Sequence, residues 1–94
     1  MNWKILVVDD DAAIIRSMRR ILETEGYKVD SADTGEKGLR QALETDYDLI
    51  LLDLRLGSMD GLEVLRRLRE NKPEQLVIMV TGFANVATAV EAMK

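Results

Sequence analysis

Each of three apolar segments in this sequence ends in a polar side chain that could take part in chemistry. The segments, with the residues that follow them, are Ile5–Val8 with Asp9 and Asp10, Leu49–Leu52 with Asp53, and Leu76–Val80 with Thr81. Ligands of open parallel sheets bind outside the carboxyl ends of the strands, so these side chains would gather at one edge if the segments are neighbouring strands. Crowded carboxylates repel each other, and a divalent cation would relieve the repulsion. Hard oxygen ligands, in a chain without His or Cys, favour magnesium over zinc.

Aspartate at the end of a strand also has a structural use, as the cap of the helix that follows. We interpret Asp11, Asp33 and Asp60 in this way, and a glutamate three residues after Asp33 and after Asp60 fits a capping box. We refer to the remaining acids, Asp9, Asp10 and Asp53, as the acidic triad. Two successive acids after one buried segment and a third after another are not explained by capping alone. Thr81 would be a structural residue on its own and becomes a candidate only through its position level with the triad.

The elements that must position these residues alternate between strand and helix. Strands are indicated from Ile5, Tyr27, Leu49 and Leu76, and helical spacing of apolar residues fills the intervals between them. The predicted apolar helix faces are Ile14, Ile15, Met18, Ile21 and Leu22; Leu39, Ala42 and Leu43; Leu62, Leu65 and Leu68; and, after a cap at Asn85, Val86, Ala89, Val90 and Met93. This order predicts an α/β fold with a parallel sheet, right-handed crossovers and helices on both faces.

The composition indicates one small globular domain over residues 1–94. Hydrophobic residues make up 47% of the chain and charged residues 32%, which argues against disorder. The absence of Cys excludes a disulfide framework and thiol chemistry, and a net charge of -4 argues against direct nucleic-acid binding. No segment approaches the roughly 20 apolar residues of a membrane span, and the N-terminus has no signal-peptide pattern. We therefore expect a cytoplasmic protein that does not contact membranes.

The motifs at the ends of the apolar segments resemble those of the CheY-like receiver domain of bacterial two-component response regulators. The matching motifs are Val7-Val8-Asp9-Asp10, then Leu51-Leu52-Asp53-Leu54 followed by Met59-Asp60-Gly61, and Val80-Thr81-Gly82. Each motif is short, but their order and separations match the family over the whole chain. The segment from Thr81 to Lys94 is most similar to receivers of nitrogen-regulation-type transcription activators.

The resemblance implies a flavodoxin-like open sheet with strand order 2-1-3-4 and a phosphorylation-dependent signalling switch that is not an enzyme. Asp53 would accept a phosphoryl group from the phosphohistidine of a sensor histidine kinase, and the Thr81 hydroxyl would sense it. Asp10, Asp53 and the backbone carbonyl of Arg55 would bind Mg²⁺ directly, and Asp9 would help through water. The conformational change would control an output domain, DNA-binding or ATPase activator, in the full-length chain.

The chain departs from the family pattern in two respects. Gly57 stands where many receivers have a proline, which we expect to loosen the loop after Asp53. Receivers also carry a phosphoryl-contacting lysine at the end of a fifth strand, for which Lys94 is no substitute. The resemblance therefore implies a domain that is incomplete at its C-terminus and lacks the fifth strand and helix. The strand from Leu76 would then be an exposed apolar edge, so we expect the fragment to self-associate.

Three other functions are compared with this one. A non-phosphorylated interaction module of the same fold remains open, although loss of a triad acid would have favoured it and none is lost. A magnesium phosphatase of the haloacid dehalogenase type needs a second aspartate two residues after the nucleophile, where this chain has Arg55. A nucleotide-binding domain needs a Gly-rich phosphate loop after the first strand, where this chain has acids.

Overall fold

Strands and helices alternate along the part of the chain that the computed structural model describes, residues 2–57 and 59–80. The elements are β1 Lys4–Val8, α1 Ala12–Thr24, β2 Lys28–Ala32, α2 Gly35–Glu44, β3 Leu49–Asp53, α3 Gly61–Asn71 and β4 Val77–Val80. The strands form one parallel sheet in the order β2-β1-β3-β4. The predicted α/β class and strand order are confirmed, whereas the helix predicted after Asn85 lies outside the described residues.

Helices cover both faces of the sheet. Each strand contributes to the core on both faces, because its successive side chains point to opposite sides. In β1, Ile5 and Val7 pack in the core beneath α1, whereas Leu6 and Val8 pack in the core beneath α2 and α3. The side chains of β3 alternate between the same two cores. A strand that is buried on both faces needs apolar residues at every position, which explains the unbroken apolar segments in the sequence. Within the described residues, no helix combines the length and apolarity needed to cross a membrane.

The register of the strands brings the ends of β1 and β3 level with each other. Val8 pairs with Leu52 of β3 on one side and with Ala32 of β2 on the other. Asp53, the last residue of β3, pairs with Val80 of β4. Because parallel strands all run in the same direction, the residues that follow Val8 and Leu52 emerge together at the carboxyl edge of the sheet.

Helix α1 begins and ends where the sequence predicts. Asp11 caps its start, because its Oδ1 accepts hydrogen bonds from the amides of Ala13 at 2.9 Å and Ile14 at 3.4 Å. Gly26 follows the end of the helix with φ of 92°, in the left-handed region that glycine adopts without a steric penalty. The chain therefore turns at Gly26 and enters β2.

The N-cap of α2 differs from the one that the sequence predicts. Thr34, and not Asp33, is the N-cap, and its hydroxyl accepts a hydrogen bond from the Lys37 amide at 3.1 Å. Asp33 lies one residue too early for this role and instead accepts a hydrogen bond from Lys37 Nζ at 3.0 Å, in an exposed ion pair. The cap predicted for α3 is confirmed, since Asp60 Oδ1 accepts from the Glu63 amide at 2.9 Å.

Two leucines that were predicted to lie on apolar helix faces are exposed. Leu62 of α3 is 58% exposed and Leu43 of α2 is 40% exposed. The buried positions of α3 are Gly61, Val64 and Leu68. Gly61 fixes the rotation of the helix by packing against the sheet, and Leu62, one residue further round the helix, is turned toward solvent.

Strand β4 begins at Val77, one residue later than predicted, and Leu76 before it is 51% exposed. In β4 only Val80 is fully buried, while Val77, Ile78 and Met79 are half-buried. Within the described residues β4 is the outermost strand of the sheet on this side. The uniformly apolar sequence therefore predicted the strand correctly, but the prediction that its side chains are covered on both faces was wrong for three of its four residues.

Candidate functional site

The acidic triad lies at the carboxyl edge of the sheet, at the ends of the two central strands. One carboxylate oxygen from each of Asp9, Asp10 and Asp53 lies within 4.8 Å of the other two. Asp9 is buried, Asp53 is half-buried and Asp10 is exposed. The structure thus brings together the three acids that the sequence singled out, and it leaves one side of the cluster open to solvent.

Strand pairing, more than any local feature, places these acids together. Asp9 and Asp10 directly follow β1, whose last residue Val8 is the register partner of Leu52, and Asp53 follows Leu52. Val8 and Leu52 are both fully buried, so neither strand end can shift without opening the core. The distances within the triad therefore depend on the packing of the whole sheet.

Asp9 is the one charged side chain in the buried core of the described residues, at 2% exposure. Burial raises the pKa of its carboxyl group, and repulsion from the carboxylates of Asp53, Asp10 and Asp11 raises this pKa further. A hydrogen bond from the Asp11 amide to Asp9 Oδ1, at 2.8 Å, acts in the opposite direction but does not cancel the effect of burial. The ionised form of Asp9 is therefore only partly compensated, by the hydrogen bond from the Asp11 amide.

The donor set fits a hard divalent cation. No Lys or Arg of residues 2–57 and 59–80 forms an ion pair with a triad carboxylate; the ion pairs in this part of the chain lie elsewhere. Three carboxylates with an open side can supply oxygen ligands and leave room for water, which suits Mg²⁺. A bound cation would also place a positive charge next to the Asp9 carboxylate, which has no ion-pair partner among the described residues.

The loop after β3 is held against the site by backbone hydrogen bonds. Asp53 Oδ1 accepts a hydrogen bond from the Arg55 amide at 3.3 Å. The Leu54 amide donates to the Val80 carbonyl at 3.3 Å, and the Leu54 carbonyl accepts from the Gly61 amide at 3.0 Å. Arg55, a candidate metal ligand through its carbonyl, is therefore next to the triad, with its side chain exposed. Thr81, the remaining candidate, lies outside the described residues.

Gly57 adopts a backbone conformation that the proline found in many receivers cannot share. Its φ is 63°, whereas a proline ring restricts φ to about -65°. A Cβ at this position would meet no atom within 4 Å, so the constraint comes from the backbone and not from crowding. The loop thus takes a path that depends on glycine, a feature the sequence alone did not predict.

Gly61 is a further residue of the site, and the sequence patterns did not predict its role. It is the first residue of α3 and is buried against the backbone of Asp53. The available signal was a glycine placed directly after a helix cap, where the geometry of a helix has no need of glycine. A close approach of two backbones explains such a glycine.

Comparison with known proteins gives a consistent result over the whole chain. The family model for the response regulator receiver domain matches residues 5–94. The transcriptional regulatory protein ResD of Bacillus subtilis (strain 168) is 45% identical over 91 residues, which cover 97% of this chain and 38% of ResD. The chain therefore spans well under half the length of this relative.

Solved structures of receiver proteins are similar in fold. The response regulator TrrA from Thermotoga maritima, in complex with Mg²⁺ and BeF, has a TM-score of 0.83 and 32% identity, over 99% of this chain and 80% of that one. TrrA in a complex with the histidine kinase ThkA has a TM-score of 0.80 and 36% identity, over 88% of this chain and 71% of that one.

Proposed function

The chain belongs to the family of response regulator receiver domains, and from this premise we propose that Asp53 is its phosphoacceptor. The observation that carries the proposal is the acidic triad, in which Asp53 is half-buried at the end of a central strand, beside Asp9 and Asp10. Asp53 combines a fixed position with access from solvent. Asp9 is too deeply buried to be reached by a phosphodonor. Asp10 can be reached, but as an exposed side chain it lacks the fixed position of Asp53.

In the proposed reaction, a carboxylate oxygen of Asp53 forms a bond to phosphorus while the bond between phosphorus and a kinase histidine nitrogen breaks. The imidazole nitrogen keeps the electron pair of the broken bond and takes a proton from solvent. The product is an acyl phosphate, a labile species that suits a reversible switch. Because the Arg55 amide donates to Asp53 Oδ1, we assign the attack to Oδ2.

We assign the binding of Mg²⁺ to Asp10, Asp53 and the backbone carbonyl of Arg55, with Asp9 contributing through water. When bound, the ion neutralises the phosphoryl oxygens and orients them for transfer. The raised pKa of Asp9 and the lack of an ion-paired cation among the described residues support this assignment. The complex of the similar protein TrrA with Mg²⁺ and BeF also supports the assignment of Mg²⁺ to this site.

The Thr81 hydroxyl is proposed to sense the phosphoryl group. Val80, which directly precedes it, is paired with Asp53 in the sheet, and this register supports the proposal. The chain is a signalling module, and we propose that it acts on no separate substrate.

The proposed partners are a sensor histidine kinase and an output domain of the longer protein. The complex between TrrA and the kinase ThkA supports the first, and the name of ResD, a transcriptional regulatory protein, supports the second. We propose that this domain binds neither nucleic acid nor membranes directly. A cytoplasmic location, similarity to nitrogen-regulation-type activators and self-association of the fragment stay predictions.

The test is phosphorylation of the purified protein by acetyl phosphate or phosphohistidine in the presence of Mg²⁺. Wild type should acquire a label that is lost in base, and Asp53→Asn should not, since the amide is not a nucleophile. Asp46→Asn is the control, because Asp46 is a fully exposed acid in the loop before β3, at the opposite edge of the sheet. Equal labelling of wild type and Asp53→Asn would contradict the proposal.

A further inference from the structure

Gly61 packs so closely against Asp53 that no side chain can be placed there. An added Cβ would lie 2.1 Å from the carbonyl oxygen of Asp53 and 3.0 Å from the Asp53 carbonyl carbon and Leu54 Cα. Separations below 3.0 Å are essentially never seen for real Cβ atoms. All three neighbours are backbone atoms, so no rotamer change can make room. An alanine at this position would have to separate α3 from the Asp53–Leu54 peptide by about 1 Å.

The contact also closes the loop that leads out of the site. The Gly61 amide donates a hydrogen bond to the Leu54 carbonyl at 3.0 Å. On the helix side, the Asp60 cap and the buried side chains of Val64 and Leu68 hold the first turns of α3 in place. The backbone of Asp53 is therefore held on one side by its pairing in the sheet and on the other by the start of α3.

Strand register brings the acids together, and we propose that Gly61 is a positioning residue, whose contact with the Asp53 carbonyl fixes the final place of the Asp53 carboxylate relative to Asp9 and Asp10. The proposal rests on the function proposed above. Moving the Asp53–Leu54 peptide moves Asp53 and also the Arg55 amide that binds its Oδ1. Because the triad oxygens lie within 4.8 Å of one another, a displacement of about 1 Å is large on the scale of the site. Gly61 therefore affects both metal binding and phosphoryl acceptance, although it contacts only the backbone of Asp53 and Leu54 and not the carboxylates of the triad.

Gly61→Ala is expected to fold, to bind Mg²⁺ about tenfold more weakly than wild type, and to be labelled up to about 100-fold more slowly. Gly26→Ala is the matched control for loss of stability. Gly26 has a left-handed φ of 92°, so alanine there is strained, but it lies between α1 and β2 at the opposite edge of the sheet. Mg²⁺ affinity is measured by the shift of backbone amide resonances, and labelling is measured at saturating Mg²⁺.

The result expected is weakened Mg²⁺ binding and labelling in Gly61→Ala but not in Gly26→Ala. Equal Mg²⁺ affinity in the two variants and in wild type would overturn the positioning role. Labelling of Asp53→Asn would instead overturn the proposed function, and the Mg²⁺ titration would still decide the role of Gly61.

A measurement on wild type covers the case in which Gly61→Ala does not fold. During the Mg²⁺ titration, the Gly61 amide resonance should shift with the same midpoint as the amides of Asp10 and Arg55, because its hydrogen bond reports the position of the Leu54 peptide. The Gly26 amide should not shift. A Gly61 resonance that shifts no more than that of Gly26 would overturn the proposal.

Discussion

The carboxylates of Asp9 and Asp53 lie within 4.8 Å of each other at the ends of adjacent parallel strands, one buried and the other half-buried. The buried member is at a disadvantage as an ion. Its pKa is raised above the ordinary value of 3.8 by burial and then by the neighbouring carboxylates. The site therefore stores unfavourable electrostatic energy in the metal-free protein, which a cation or a proton can release.

The first prediction concerns the pH dependence of this energy. A carboxyl group whose pKa is higher in the folded than in the unfolded protein binds more protons when folded, so its contribution to stability is lost as pH rises. In wild type without metal, the contribution of Asp9 should be favourable below pH 3.8 and should be lost as pH rises through the folded-state pKa. Asp9→Asn removes this dependence and keeps an acceptor for the Asp11 amide.

Urea unfolding at a series of pH values, without divalent metal, measures the effect. The stability of Asp9→Asn relative to wild type should increase as pH rises through the pKa of Asp9 and then become constant. Taking the difference between the two proteins removes the titration of the carboxyl groups that do not interact with Asp9. A difference that does not change with pH would show that burial of Asp9 has no such cost.

The second prediction concerns stabilisation by Mg²⁺. A ligand that binds only the native state at about ten times its Kd adds roughly 1.4 kcal/mol to the free energy of unfolding. For a domain of this size, that raises the melting midpoint by about 5–10 °C. Asp10→Ala should lose most of the rise, whereas Asp46→Ala, which changes an exposed acid outside the triad, should keep it. A rise of equal size in Asp10→Ala would place the ion elsewhere.

The third prediction concerns the backbone of Gly57. Alanine at a φ of 63° should lower the free energy of unfolding by about 1–2 kcal/mol, because its Cβ is strained in the left-handed region. Asparagine tolerates this region better, so Gly57→Asn should lose less. Gly57→Pro should be the most damaging of the three, since the ring forbids a positive φ. Equal unfolding midpoints in urea for the three variants would show that the loop readily takes another path.

The fourth prediction concerns Lys72, which joins the end of α3 to the end of α2. Its Nζ donates to the carbonyls of Ala42 at 2.7 Å and Thr45 at 3.2 Å, and it pairs with Asp46. A cation is favourable at the C-terminus of a helix, where carbonyls lack partners. Lys72→Met should lower the free energy of unfolding by about 1–2 kcal/mol, because two part-buried carbonyls lose a charged donor.

Lys37→Met is the control for the Lys72 prediction. Lys37 pairs with Asp33 on the surface, and an exposed ion pair contributes little to stability. Chemical unfolding of both variants, followed by circular dichroism, should show a clear loss for Lys72→Met and little or none for Lys37→Met. Similar losses would mean that the Lys72 contacts are no stronger than a surface pair.

The sequence by itself determined the alternation of elements and the place where the acids converge. Continuous apolar segments identify β1 and β3 as strands buried on both faces, and helical spacing places a helix after each. Parallel strands joined by right-handed crossovers must end at one edge, so acids that follow those strands are brought together. The cap at Asp11 and the turn at Gly26 could also be predicted, because both depend on residues next to each other in the chain.

Tertiary structure decided what depends on distances between segments remote in sequence. The apolar pattern of α3 did not reveal that Leu62 is exposed, since Gly61 sets the rotation of the helix by its contact with Asp53. The raised pKa of Asp9 likewise depends on burial by other elements. A sequence records which side chains are apolar or charged, but the separations on which electrostatic and packing energies depend exist only once the strands and helices have packed together.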